Sequence, residues 1–171
     1  ALLEIMQEKQ VTIDNRRYEI EPPFFTMATQ NPVESEGTYS LPEAQLDRFL
    51  LKLLIDYPGE EEERGIYRLH AGGEAFNALD QVQPVLNRKK VLEISAAAER
   101  VQVSDAIIDY IARLVRETRD RREIYLGCSP RGGIALLKTA RVAALMEGRD
   151  FVIPDDVKTL APPAFRHRIV L

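Results

Sequence analysis

The chain opens on the dense apolar side of a helix, with Leu2, Leu3, Ile5 and Met6 falling within two turns of Ala1–Lys9. No Ser, Thr, Asp or Asn precedes it to accept its first amides. That predicts a helix cut from something upstream of Ala1. Residues 10–21 then alternate: Val11 and Ile13, a turn at Asp14-Asn15, and Tyr18 and Ile20, the pattern of a hairpin. The apolar run 24–29 predicts a strand buried on both faces, which Pro32 ends. Residues 33–40 are polar around Gly37 and predict a loop. Ser40 and Glu43 have the spacing of a capping box for a short helix, with Pro42 in its first turn. The run 49–55 predicts a second strand, broken by Tyr57-Pro58-Gly59.

Beyond residue 59 the period becomes helical. Glu60–His70 predicts a helix with an acidic first turn, residues 71–86 an irregular stretch around Gly72-Gly73 and Pro84, and residues 88–98 a further helix. Ser104 predicts a cap for a helix striped by Ile107, Ile108, Ile111, Leu114 and Val115. Ser129-Pro130 opens the next, with Ile134, Leu137 and Ala144 expected on one side and Gly148 just past its end. Pro154, Asp155 and Asp156 open a short last helix for which Ile153 is a poor cap. The expected architecture is an α/β piece of hairpin plus strands over 1–58, followed by an all-α helical piece over 59–171.

Composition narrows the classes. A chain of 171 residues with 45% apolar and 29% charged residues can bury a core without disulfides or metal. Its net charge of −4 counts against a general nucleic-acid-binding surface. The lone Cys128 cannot form an internal disulfide and suits a reducing, cytoplasmic setting. Apolar runs stop at about five residues, too short to span a membrane.

Candidate chemistry is sparse. His70, His167 and Cys128 lack zinc-ligand spacing. Cys128 precedes a predicted helix N-terminus, which would lower its pKa if it were reactive; a structural cysteine is the plainer reading. The segment Gly133–Thr139 carries Leu137 where a phosphate-binding loop needs its second Gly, so no phosphate cradle is present in these residues. Three polar clusters remain. Asn31, in Thr29-Gln30-Asn31-Pro32, follows a predicted buried strand, where ligands bind in open α/β sheets; an ordinary Asn-Pro turn is the alternative. Arg48 ends the short helix in Leu46-Asp47-Arg48-Phe49 and, taken alone, reads as a solvated cation. Arg131 lies in the first turn of a helix, where a cation makes sense beside a bound anion; an arginine stretching into water is the alternative.

In order and spacing these clusters resemble the C-terminal part of a MoxR-family AAA+ ATPase. The resemblance covers almost the whole chain. It is carried by Ala1–Glu4 with Gln7–Thr12, Ala28–Pro32, Leu41–Phe49, Tyr57-Pro58, Ser129-Pro130-Arg131, Gly148-Arg149-Asp150, Pro154–Val157 and His167-Arg168. It implies that Asn31 is the sensor-1 residue placing the attacking water. Arg48 would be the arginine finger acting in trans, and Arg131 the sensor-2 residue contacting nucleotide. The hairpin would be the insertion before sensor 1, and Tyr57-Pro58 the hinge of a lid over 59–171. It further implies ATP and Mg²⁺ as ligands of the parent protein and a homo-oligomeric ring, of six subunits. It also implies client proteins to be remodelled or loaded with cofactor or metal, von Willebrand A domain proteins among them. Walker A and Walker B are absent from these residues, so the chain alone is expected to be inactive. Two other readings are an ATP-independent adaptor and a helical DNA-binding module presenting Arg131, Lys138 and Arg141.

Overall fold

The computed structural model describes residues 2–30, 41–71 and 82–171. Asn31, the loop 33–40 with Ser40, and Gly72-Gly73 lie outside the described residues. The chain divides into two compact units, residues 1–52 with 88–171 and residues 53–87.

In the first unit, α1 (Leu2–Glu8) leads into β1 (Gln10–Ile13) and β2 (Arg16–Glu19). The strands pair antiparallel with Val11 opposite Tyr18 and Thr12 opposite Arg17. Asp14 and Asn15 both adopt positive φ, 49° and 61°, which a two-residue hairpin turn requires. The two further strands expected at 24–29 and 49–55 do not form. A buried strand exists through its neighbours' ladder bonds, and no described segment supplies them. Phe25 and Met27 accordingly stand 78% and 77% exposed.

The helical part comprises α2 (Glu43–Leu46), α4 (Arg88–Glu99), α5 (Asp105–Asp120), α6 (Pro130–Met146) and α7 (Pro154–Phe165), with α3 (Glu60–Ala71) in the second unit. The last helix is longer than its short opening suggested, and runs through Pro162 and Pro163. On α3, Arg64 reaches back to Glu60 and Glu61 and Tyr67 to Glu63, neighbours one turn apart on an exposed surface.

One apolar core joins α5, α6, α7 and their loops: Val101, Ile107, Ile111, Val115, Leu136, Ala140, Val157 and Phe165. The α5 stripe is narrower than expected, since Ile108 is half exposed. On α6 the buried side matches the expected one only in part: Ala144 is buried and Leu137 packs against the core. Gly132, Ala135, Leu136, Thr139, Ala140 and Ala144 face inward, while Ile134 is 52% exposed. This helix packs against α4, α5 and α7 together, so small residues are needed on several sides at once. Buried Thr139 returns its hydroxyl to the carbonyls of Ala135 and Leu136.

Local signals set the helix ends. Ser129 Oγ accepts from the Arg131 amide, an N-cap bond. After α6, Gly148 takes φ +71°. Its amide bonds Leu145 O at 3.0 Å and that of Arg149 bonds Ala144 O at 2.9 Å, a Schellman stop. At α7 the poor cap Ile153 is compensated by Asp156, whose carboxylate accepts the Ile153 amide at 2.9 Å and also binds Arg149 through two bonds of 2.6 and 2.8 Å. Two single bridges, Gln102 with Phe151 and Leu126 with Val170, tie the interhelical loops.

Candidate functional site

The polar residues of the first unit converge where the turn after α2 meets the N-terminus of α6 and the end of α7. At the centre is Asp47, whose side chain is 16% exposed. Its carboxylate accepts the Ser129 hydroxyl, 2.9 Å from both oxygens, and Arg168 Nε at 3.0 Å. Arg131 Nη1 stands 3.8 Å from Asp47 Oδ2, with its side chain 53% exposed. Two cations and one hydroxyl therefore gather on a single carboxylate.

Arg168 is the most enclosed of these groups, its side chain only 2% exposed. A guanidinium in that position must satisfy its donors within the protein. Its Nη2 donates to Asp47 O at 2.9 Å and to Phe49 O, and its Nη1 to Leu50 O at 3.3 Å and to Ala164 O. Beside it His167 Nε2 lies 3.1 Å from Phe49 O, so that nitrogen carries the proton; Nδ1 is buried without a hydrogen-bond partner among the described residues. Burial, helped by the Arg168 and Lys52 charges, holds the His167 pKa below its ordinary value, against the opposing Phe49 bond.

Arg48 belongs to the same turn and is partly buried. Its Nε and Nη1 are buried and have no hydrogen-bond partner among the described residues. It is thus the arginine of this region left uncommitted, whereas Arg168 is saturated.

Under the junction, Cys128 is fully buried and packed against Gly132: a Cβ built on that glycine would lie 2.1 Å from Sγ. Burial pushes the thiol pKa up, which outweighs the lowering by Arg168 and Arg119. Cys128 is therefore a packing residue and not an activated thiolate. Its backbone is held as well: the Cys128 amide donates to Thr118 Oγ1, and Arg119 Nε donates to the Cys128 carbonyl.

Of the sequence candidates, the structure brings Arg48 and Arg131 to one junction, and Asn31 lies outside the described residues. Sequence reasoning assigned no site role to Asp47, His167 or Arg168, and gave Ser129 only the opening of a helix. The only signal was their presence in the segments that carry the family resemblance. Nothing local announces a pair separated by 121 positions.

Comparison with known proteins agrees with this order of segments. Residues 1–51 match the model of the ATPase family associated with various cellular activities (AAA), and residues 116–170 match that of the AAA lid domain. YeaC of Bacillus subtilis (strain 168) is 46% identical over 171 residues, 100% of this chain and 52% of that protein. Chaperone MoxR1 of Mycobacterium tuberculosis H37Rv is 41% identical over 181 residues, 100% of this chain and 46% of that protein. A solved structure from Cytophaga hutchinsonii ATCC 33406 superposes with a TM-score of 0.88 at 40% identity, covering 99% of this chain and 53% of that one. The chain spans about half the length of the curated relatives it matches. Two successive family models, relatives named MoxR along the whole chain and a matching fold carry one conclusion: the chain belongs to the MoxR family of AAA+ ATPases.

Proposed function

We propose that this chain is the sensor and lid portion of an ATPase that hydrolyses ATP in a homo-oligomeric ring and uses the cycle to remodel client proteins. The observation that carries the reading is the junction of two differently committed arginines around Asp47. Arg48 has two buried guanidinium nitrogens without partners among the described residues, and Arg131 is half exposed in the first turn of a helix. Both are suited to an anion the protein itself does not supply, and a triphosphate is such an anion.

In this reading Arg48 is the arginine finger, entering the neighbouring subunit's site to stabilise charge developing on the transferred phosphoryl group. Such a group contributes about 10³–10⁵ in rate in other nucleotide hydrolases. Arg131 meets the phosphates from the lid and passes their presence to α6. Asn31 orients the attacking water. The division into an α/β portion over 1–58 and a lid over 59–171, hinged at Tyr57-Pro58, belongs to the same proposal. Mg²⁺ would neutralise phosphate charge; its ligands and the phosphate cradle lie outside these 171 residues, which is why the chain alone is expected to be inactive. Remodelling of clients is supported by the name of the relative Chaperone MoxR1.

The test is Arg48→Ala in the full-length protein. Hydrolysis should be lost while ATP binding persists. Turnover at the wild-type rate would remove Arg48 from the mechanism.

A further inference from the structure

We propose that Asp47 and Arg168 are positioning residues for Arg48, holding the base of that side chain so that its guanidinium can reach a target outside its own subunit. This rests on the finger reading of Arg48.

The helix preceding Arg48, α2, has four residues. A helix of one turn does not hold itself in water. What holds the turn is Arg168. Its Nε, Nη1 and Nη2 all donate to groups of residues 47, 49 and 50, the positions flanking Arg48. His167 Nε2 adds a bond to Phe49 O, Ser129 Oγ adds one to the Asp47 carboxylate, and the Lys52 amide bonds Pro163 O at 2.9 Å. The backbone on both sides of Arg48 is thus fixed to α6 and α7, and none of these bonds reaches the Arg48 guanidinium.

A buried ion pair is a poor device for stability alone, since well-packed apolar residues commonly serve as well. Here the buried guanidinium does something an apolar side chain cannot: it ties the carbonyls of Asp47, Phe49 and Leu50 and the Asp47 carboxylate to the Ala164 carbonyl of α7 in one geometry. Fixing the base of a reaching side chain reduces the freedom it must lose on engaging its target, and small misplacement of such groups is costly in rate. The same Asp47 carboxylate also binds the cap of the helix that carries Arg131, so both arginines are referenced to one point.

The test uses the full-length protein with Asp47→Asn, which keeps the shape and removes the charge. Turnover at saturating ATP should fall by about 10- to 100-fold. The dissociation constant for ATP should stay within about twofold, and thermal unfolding should remain cooperative. Because the defect lies in what a subunit offers its neighbour, mixing with excess Asn31→Ala subunits, which keep a normal Arg48, should restore turnover at the sites of the Asp47→Asn subunits. Wild-type turnover in folded Asp47→Asn protein overturns the proposal, as does a loss that mixing fails to repair. If Asp47→Asn does not fold, Ser129→Ala removes only the hydroxyl bond to the carboxylate. It should show a smaller loss of turnover with the same unchanged ATP affinity, and unchanged turnover overturns the proposal there. Arg48→Ala run alongside separates the two levels. If it retains turnover, the finger reading fails; if it alone loses turnover, only the positioning role fails.

Discussion

At the residue scale, the turn around Phe49 depends on a neutral histidine. His167 is held below its ordinary pKa mainly by burial, so the unfolded chain binds the proton more readily than the folded one. Its contribution to stability is therefore full above the unfolded value of about 6.5 and is lost as the pH falls from there through the lower folded value. Urea unfolding at about pH 7.5 and 5.5 should show a midpoint that drops at the acid value, and His167→Gln should flatten that dependence. An equal acid drop in the variant would place the effect on other groups. Residues 47 and 168 show the limit of local reading. Asp47-Arg48 looks in sequence like an ordinary pair of solvated charges, but Asp47 is largely buried and its partner arginine is Arg168.

At the element scale, α6 shows how packing overrides a helical stripe. Ile134 is apolar and correctly spaced, yet the inward positions are taken by Leu136 and by smaller residues, because three helices crowd this one. Gly132 is the extreme case. Glycine in a helix costs about 1 kcal/mol relative to alanine, but here a Cβ has no room beside Cys128 Sγ. Gly132→Ala should therefore destabilise the protein by about 1–3 kcal/mol, contrary to its helix propensity, as read by denaturant unfolding. The start of α7 depends on Asp156 in place of a good cap. Both Arg149 and the Ile153 amide hold its pKa below the usual carboxylate value, Arg149 more strongly. That contribution is present above the unfolded value of about 3.9 and is lost as the pH falls through the lower folded value. Asp156→Asn should cost about 2 kcal/mol at neutral pH and much less in strong acid; an equal cost at both would contradict the charge-based account.

At the scale of the whole molecule, a finger that acts in trans makes catalysis a property of the assembly. Specific ATPase activity of the full-length protein should fall on dilution below the subunit dissociation constant and recover on concentration. Activity independent of concentration down to the monomer would exclude a finger in trans. In the full-length protein ATP should protect α6 from proteolysis, and Arg131→Ala should reduce that protection by weakening the link between nucleotide and lid. Unaltered protection, affinity and turnover would remove Arg131 from that role.

The sequence by itself determined what is local. The hairpin turn at Asp14-Asn15, the cap at Ser129, the stop at Gly148 and the helical run after residue 59 follow from backbone preferences that act within a few residues. The order of the motifs was equally legible and was enough to indicate the family. The tertiary structure alone decided what depends on distant partners. The runs 24–29 and 49–55 have strand composition, but a strand needs a neighbour's amides and carbonyls, and composition cannot provide them. The buried side of α6 depended on which helices crowd it. The junction at Asp47 joins residues 47, 129 and 168, brought together only when α6 and α7 close on the turn after α2. A charge pair across such a gap has no sequence period, because the energy that fixes it comes from burial, which exists only once the chain has folded.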